Sequence, residues 1–248
     1  MLKKYFKQYY KKKQGKLTLE DFESFWQHIV KSTMLPRTAF VIVDVQNDFI
    51  DGTLALINCP AKQDGITVVP VINEIIRTVP FNVIAYTLDW HPQDHCSFIE
   101  NVQMRKIHSK SKIKENFKAY DTVIFEEYPD AEQKLWPAHC VVDSDGAKLH
   151  PKLTVIDEKT DSMNRQAVYV KKGSKSDIDS YSAFFDNCKL NETTLHNDLQ
   201  KHNITDLYVC GLAADVCVGN YIELILFEIL LLKLSIFYNK KLPLLTME

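Results

Sequence analysis

Short apolar runs alternate with helical patterns along most of the chain after Thr38. Four runs have the nearly continuous, β-branched character of strands that are buried on both faces, and they span residues 39–45, 83–88, 167–171 and 207–211. Two segments between them, 67–79 and 192–202, show the periodicity of helices. This alternation predicts an α/β domain with a parallel sheet. Residues 100–135 carry many charges and no clear period, which indicates a long surface excursion.

The first 36 residues form a different unit, rich in Lys, Tyr and Phe. The stretch around Gly15 and Asp21 resembles the second half of an EF-hand loop, in which a glycine is sixth and a carboxylate twelfth. Lys12 would then occupy an early ligand position, where its charge repels calcium. Residues 22–29 follow as an amphipathic helical pattern. We therefore predict a helical, EF-hand-like appendage over residues 1–36 that binds no calcium.

Composition and charge exclude several classes of protein. The 248 residues are 46% hydrophobic and carry a net charge of −2, so no large single-sign field points to nucleic acid or to an acidic membrane surface. The six cysteines are scattered without a CxxC pair, and the N-terminus lacks the apolar segment of a signal peptide. We expect a protein of a reducing compartment, by default the cytoplasm, with nuclear access and a homo-oligomer left open.

Reactive side chains follow the ends of all four predicted strands. Ligands of open α/β sheets bind beyond the carboxyl ends of the strands, where Asp44, Asp89, Lys172 and Cys217 lie. Asp44 interrupts an apolar run, and an unpaired carboxylate there is costly unless a cation such as Lys172 is close. Cys217 precedes a helical pattern, and a helix N-terminus or a cation favours the thiolate. Singly, each residue also fits an ordinary structural role; together they fit a nucleophile, a base and an orienting cation.

A second group of residues has the character of metal ligands. Asp89 and His91 are two positions apart in an extended segment, so both side chains can face one cavity. His139 can supply a third ligand. Two histidines and a carboxylate leave positions open for water and substrate, and they suit zinc, iron or manganese. The other histidines, including His95, have no comparable partner in the sequence and are expected on the surface or in the core.

Six motifs occur in order over residues 38–220, and together they resemble the nicotinamidases among the isochorismatase-like cysteine hydrolases. The motifs are VDVQNDF (43–49), DWHP (89–92), LWPAHC (135–140), KG (172–173), DSYSAF (179–184) and GLAADVC (211–217). The DWH and WPxHC motifs separate nicotinamidases from metal-free relatives that share only the three reacting residues. With its EF-hand-like start, the chain resembles the invertebrate type. The resemblance implies a Rossmann-like, three-layer fold with helices on both faces of the sheet.

The resemblance also implies a mechanism for the hydrolysis of nicotinamide to nicotinic acid and ammonia, which feeds NAD salvage. Asp44 takes the thiol proton of Cys217, Lys172 stabilises both groups, and the thiolate attacks the carboxamide carbon to form a thioester. Backbone N–H groups of Ala213 and Cys217 hold the oxyanion, next to a cis peptide between Leu212 and Ala213.

The metal and the ring of the substrate have expected positions as well. The resemblance implies one divalent metal, zinc before iron or manganese, that is held by Asp89, His91 and His139 and accepts the pyridine nitrogen. Ser97 is expected at the water shell of the metal. The aromatic residues expected to hold the ring, each of which fits core packing equally well, are Phe49, Trp136 and Tyr181.

The resemblance fades after Gly219, and residues 221–248 form an atypical apolar tail. A transmembrane helix needs about 20 mostly apolar residues, and the charged residues of this tail disfavour one, so we expect no membrane partner. A rebuilt helix followed by a short strand over 234–238 is a second interpretation. We favour a third, an alternative or truncated end of the same domain. Two alternatives to nicotinamidase activity stay open: an amidase for another small amide and, because of the atypical tail, a catalytically silent form that binds metal, ligand or partner.

Overall fold

A five-stranded parallel sheet forms the centre of the protein. The computed structural model describes residues 18–26, 30, 34–219 and, for the backbone alone, 233–236. The sheet strands are β1 (Thr38–Val43), β2 (Val83–Asp89), β5 (Gln166–Lys172), β6 (Asp206–Gly211) and β7 (Lys233–Ile236), and they lie in the order β5-β2-β1-β6-β7. Two short antiparallel strands, β3 (Thr122–Val123) and β4 (Gln133–Lys134), form a separate ribbon. The predicted parallel sheet is confirmed.

The buried positions of β1 and β2 explain why their sequences are apolar without alternation. The prediction of burial on both faces is wrong for β5, because this strand lies at the edge of the sheet and leaves Tyr169 and Lys171 exposed. β1 lies in the middle of the sheet, between β2 and β6, and every residue of β2 is buried. Both faces of a parallel sheet are covered, so side chains on both sides of the strand enter a core. In the register, Val43 pairs with Gly211 and Asp89 pairs with Lys172. The carboxyl ends of these strands therefore form one edge.

Helices cover both faces of the sheet, as the three-layer fold requires. On one face, α3 (Val69–Thr78) packs Ile72 and Ile76 against β1 and β2. On the other face, α4 (Leu195–Lys201) packs Leu195 and Leu199 against β1 and β6. Both predicted helices are present. α4 begins later than the pattern predicted because Glu192 forms a β-bridge with Phe185. A one-turn helix, α2 (Asn47–Ile50), follows β1.

The N-terminal helix begins earlier than predicted, and its start is a capping box. In α1 (Leu19–Phe25), the Asp21 N–H donates to the hydroxyl of Thr18 at 3.1 Å, and the Asp21 carboxylate accepts the Thr18 N–H at 3.1 Å. This is the carboxylate that the EF-hand alignment assigned to calcium. The earlier residues of that loop lie outside the described residues, so the EF-hand origin and the appendage boundary stay predictions.

The excursion over residues 100–135 contains a small core of its own. A 3₁₀ helix, Ile99–Met104, and the β3–β4 ribbon enclose it. Five buried side chains form this cluster, and they are Cys96, Val102, Val123, Phe125 and Leu135. Strands of two residues are too short to give a hydrophobic period, so the sequence pattern predicted only surface here.

Part of the C-terminal tail joins the sheet as β7. Its backbone pairs in parallel with β6, from Asp206 opposite Lys233 to Val209 opposite Ile236. β7 overlaps the first three residues of the strand that the second interpretation of the tail predicted over 234–238. Residues 220–232 and 237–248 lie outside the described residues. Among the residues that are described, no helix is long and apolar enough to cross a membrane.

Gly211 of β6 lies directly against the backbone of β1. Its φ is +130°, and a Cβ added there would lie 2.1 Å from the carbonyl oxygen of Val43. We expect Gly211→Ala to lower the free energy of unfolding by roughly 1–3 kcal/mol, as overpacked cores do. Urea unfolding measures this. An unchanged urea midpoint would show that β1 and β6 can move apart at this position without loss of stability.

Candidate active site

Four chain segments deliver reactive side chains to one edge of the sheet. Asp44 follows β1, Asp89 ends β2, Lys172 ends β5, and Cys217 lies in the turn after β6. All four are buried. The parallel topology alone brings these residues together, because the carboxyl ends of parallel strands share an edge.

The ammonium group of Lys172 is the centre of this cluster. Its Nζ lies 3.0 Å from Asp44 Oδ2 and 3.4 Å from Cys217 Sγ. It also donates a hydrogen bond to Asp89 Oδ1, and another to the Ser180 carbonyl at 3.1 Å. One buried cation therefore compensates two carboxylates and contacts the candidate nucleophile.

Thr87 fixes the candidate base and was not found in the sequence. Its hydroxyl donates to Asp44 Oδ1 at 2.6 Å, while the Asp44 N–H donates to the same hydroxyl oxygen at 3.2 Å. Asp44 has a φ of +52°, which turns its side chain out of the strand direction. A threonine in the mostly apolar β2 was the available signal, and its partner is 43 positions away.

Burial controls the protonation of the nucleophile and the base. Burial raises the pKa of the Cys217 thiol well above its usual value, and the attraction of Lys172 only partly opposes this. Burial likewise raises the pKa of Asp44 despite Lys172. The thiol is therefore protonated at rest, and the nearby Asp44 carboxylate acts on its pKa in the same direction as burial. Desolvation thus outweighs the helix N-terminus and the cation, both of which favour the thiolate.

The turn before Cys217 has the expected backbone form. The peptide between Leu212 and Ala213 is cis. The Ala213 carbonyl accepts hydrogen bonds from Val216 N and Val218 N, at 3.3 and 3.0 Å. Its N–H donates to no atom in the part of the chain that is described. Cys217 begins the helical segment that follows, so the turn presents the nucleophile next to an amide that can bind an anion.

Asp89, His91 and His139 form a compact set of donor atoms, all within 4.8 Å of one another. Asp89 Oδ2 lies 3.6 Å from His91 Nε2 and 3.8 Å from His139 Nε2. Each Nδ1 donates to a backbone carbonyl, from His91 to Gly173 at 2.9 Å and from His139 to Pro137 at 2.8 Å. These bonds leave both Nε2 atoms aimed at the carboxylate, which is the arrangement that metal-binding histidines need. The three residues therefore fit a divalent metal.

The protonation of His139 and Asp89 fits a metal as well, whereas the pKa of His91 is raised, because burial is outweighed by the attraction of Asp89. Burial, followed by repulsion from His91, lowers the pKa of His139 to about 4, so this imidazole is neutral near pH 7. Burial acts to raise the pKa of Asp89, but Lys172 and His91 outweigh it and the pKa is lowered. A neutral imidazole and an ionised carboxylate are the forms that bind a metal.

Asp48 and Gly173 shape the surroundings of the two histidines. Asp48 Oδ2 accepts the Cys140 N–H at 2.7 Å, which anchors the loop of His139. Gly173 has a φ of +64°, and a Cβ there would lie 2.3 Å from His91 Cε1. The glycine therefore gives the His91 ring its space.

His95 belongs to this site, although its sequence context suggested a surface or core histidine. Its ring lies 4.1 Å from that of His91, centroid to centroid, and its Nδ1 bonds the Ser97 hydroxyl at 2.7 Å. Its Nε2 lies 4.0 Å from Asp179 Oδ1 and has no hydrogen-bond partner among the described residues. The contact that Ser97 makes in the site is thus to His95, two residues before it.

Of the three aromatic residues expected to hold the ring, Phe49 lies against the metal-binding trio, while Trp136 and Tyr181 lie close to each other. The ring of Phe49 is 5.5 Å from that of His139. The indole of Trp136 lies close enough to the Tyr181 hydroxyl to act on its pKa, and Tyr120, which the sequence did not indicate, meets the Trp136 ring edge-on at 5.8 Å. Phe49 and Trp136 are buried. Contact of these three side chains with a substrate ring stays a prediction.

The fold and this site define the class of protein. Residues 38–222 match the family model described as the isochorismatase domain, which is most of the chain. The chain therefore belongs to the isochorismatase-domain family.

Within that family, the similar proteins are nicotinamidases and pyrazinamidases. The nicotinamidase of Acinetobacter baylyi is 34% identical over 182 residues, which cover 73% of this chain and 71% of that protein. The yeast nicotinamidase bound to the inhibitor nicotinaldehyde has a TM-score of 0.62 at 26% identity, covering 80% of this chain and 85% of its own. The pyrazinamidase of Pyrococcus horikoshii in complex with zinc has a TM-score of 0.52 at 25% identity, covering 77% and 79%.

Proposed function

We propose that this chain hydrolyses nicotinamide to nicotinic acid and ammonia through a thioester on Cys217, and so feeds NAD salvage. The observation that carries the proposal is the position of Lys172. Its ammonium contacts Asp44 and Cys217, a base and a nucleophile, and also Asp89 of the metal-binding trio. The nicotinamidase relatives supply the substrate class.

Attack begins with transfer of the thiol proton from Cys217 to Asp44. The raised pKa of the Asp44 carboxyl makes it a better base than an exposed aspartate. Lys172, 3.4 Å from the sulfur, stabilises the thiolate as it forms. The sulfur then bonds to the carboxamide carbon, and negative charge moves to the carbonyl oxygen.

The backbone amides of Ala213 and Cys217 are the proposed donors to that oxyanion. Such a donor typically lowers the barrier by about 2.7–4 kcal/mol, because it is in place before charge develops. The Ala213 N–H, without an acceptor in the described chain, is available for this role. Since both amides belong to the turn that carries the sulfur, attack and charge stabilisation occur at one place.

Collapse of the intermediate breaks the carbon–nitrogen bond. The proton on Asp44 passes to the leaving nitrogen, so that neutral ammonia departs and a thioester remains. A water molecule then gives a proton to Asp44 and attacks the thioester carbonyl. The sulfur leaves as a thiolate, takes the proton back, and nicotinic acid is released.

Asp89, His91 and His139 would hold one divalent metal, and we propose zinc. The nitrogen and oxygen donors suit this ion, and a structurally similar pyrazinamidase is known in complex with it. When bound, the ion would supply a Lewis acid for the ring nitrogen of the substrate. Phe49, Trp136 and Tyr181 would pack against the ring, and Ser97 would orient His95 at the edge of the site.

Ring amides that differ by one atom test the proposal. The metal-loaded protein should release ammonia from nicotinamide and pyrazinamide, and far more slowly from benzamide, which has no ring nitrogen. Ammonia release is measured with each amide at equal concentration. Turnover of an aliphatic amide without turnover of nicotinamide would overturn the proposal in favour of another small-amide hydrolase.

His139→Ala should weaken metal binding first. Loss of an outer-shell partner alone costs about 10–100-fold in metal affinity, and removal of a ligand should cost more. Competition with a chelator measures the dissociation constant. His150→Ala, which removes another buried histidine, is the control and should keep the wild-type constant. Equal constants for both variants would remove His139 from the ligand set.

A further inference from the structure

Gln46 is a fully buried residue whose side chain bonds only to backbone. Its Oε1 accepts the Asp89 N–H at 2.8 Å, and its Nε2 donates to the Asp89 carbonyl at 2.9 Å and to the Ala147 carbonyl at 2.8 Å. We propose that Gln46 is a positioning residue, which fixes Asp89 at the point where the metal-binding trio meets the Asp44–Lys172–Cys217 cluster. This role rests on the proposed function.

Gln46 takes the place of a strand partner that β1 no longer provides. The described pairing of β1 with β2 runs to Ile42 opposite Tyr86, three residues before Asp89. On its other side Asp89 is still paired, with Lys172 of β5. The carboxamide of Gln46 offers an N–H donor and a carbonyl acceptor, as a peptide group does. It therefore continues the hydrogen bonding of β2 to its last residue.

The backbone of Asp89 must be held in a fixed position because its carboxylate has two functions. Oδ1 accepts the hydrogen bond of Lys172, while Oδ2 faces the Nε2 atoms of His91 and His139 at 3.6 and 3.8 Å. A small backbone shift would change both sets of distances together. Metal sites depend on such outer contacts, whose loss typically costs about 10–100-fold in affinity or activity.

Gln46 and the proposed base, Asp44, also belong to one chain segment. Gln46 is two residues after Asp44, and its N–H donates to the Asp44 carbonyl at 2.8 Å. The segment is held from outside by a β-bridge from Gln46 to Leu149. Gln46 thus sets the distance from Asp44 to Asp89, between which Lys172 lies, without touching a reacting atom.

Two variants, each of which removes side-chain hydrogen bonds to the backbone, test the proposal. Gln46→Met keeps the length of the side chain but makes none of the three bonds. Asn73→Leu is the control, since Asn73 holds backbone in the same two-sided way, with bonds of 2.8 Å to the Lys152 carbonyl and 2.7 Å from the Thr154 N–H, on α3 outside the site. Urea unfolding, chelator competition for Zn²⁺, the absorption spectrum of the Co²⁺-loaded protein and kcat on nicotinamide are measured for both.

Both variants should unfold at lower urea concentration than the wild type. Only Gln46→Met should also bind Zn²⁺ about 10–100-fold more weakly, with shifted Co²⁺ bands and a lower kcat at saturating metal. Wild-type Zn²⁺ affinity and Co²⁺ bands in Gln46→Met would overturn the proposal. If that variant does not fold, Gln46→Asn, one methylene shorter, gives the same two outcomes. If the wild type does not hydrolyse nicotinamide, the proposed function fails, while metal affinity and spectrum still decide the role of Gln46.

Discussion

Replacement of Cys217 by alanine should lower kcat/KM for nicotinamide by a factor on the order of 10⁵ to 10⁶, the loss that follows removal of a covalent nucleophile. No other thiol contacts both Lys172 and Asp44 among the described residues. Because Cys217 is not one of the three proposed metal ligands, bound zinc should stay at the wild-type level. Ammonia release and metal content, measured on the same preparation, check both parts.

Cys210→Ala provides the matched control. Cys210 is a thiol of β6 that packs in the core beside the site, and its loss should leave turnover close to that of the wild type. Turnover retained by Cys217→Ala would exclude the thioester. Loss of metal from that variant would show that the sulfur is a ligand rather than the nucleophile.

Lys172→Met should have the largest effect on stability. It leaves the carboxylates of Asp44 and Asp89 buried without their shared cation, and removal of one partner from a buried ion pair costs about 3–5 kcal/mol. Turnover should be lost as well. Urea unfolding of the metal-free protein measures the stability. Lys171→Met is the control, because the ammonium of Lys171 is exposed and stacks over the Trp90 ring at 3.6 Å.

The stability deficit of Lys172→Met should shrink as the pH falls. In the wild type the pKa of Asp89 is lowered, so its contribution to stability is present above the unfolded-state pKa and is lost as the pH falls through the folded value. Without Lys172, burial acts with less opposition and the pKa of both carboxyls rises. Their protonation then stabilises the folded variant at low pH. A deficit no larger than that of Lys171→Met would contradict the central position of Lys172.

The sequence predicted the sheet and the reactive residues for one physical reason. Buried strands form continuous apolar runs, so the sequence shows where each of them ends. In a parallel sheet the residues that follow those ends lie together at one edge. Asp44, Asp89, Lys172 and Cys217 could be placed together on that basis.

The residues that hold this site could not be predicted in the same way. Thr87 and Gln46 act through hydrogen bonds to residues 43 positions away, and no local period marks such contacts. His95 seemed isolated because its neighbours in space, His91 and Asp179, are joined to it only by folding. The protonation of Cys217 depends on its complete burial, which a charge pattern does not contain.

Nicotinamide turnover by the wild type, with Cys217→Ala as the blank, tests the central claim most directly. The purified protein is loaded with zinc, its metal content is measured, and ammonia and nicotinic acid are determined together over time. The account predicts that both products appear in equal amounts and that neither appears with Cys217→Ala. A folded, fully metal-loaded protein that releases no ammonia, or release that persists in the variant, would contradict it.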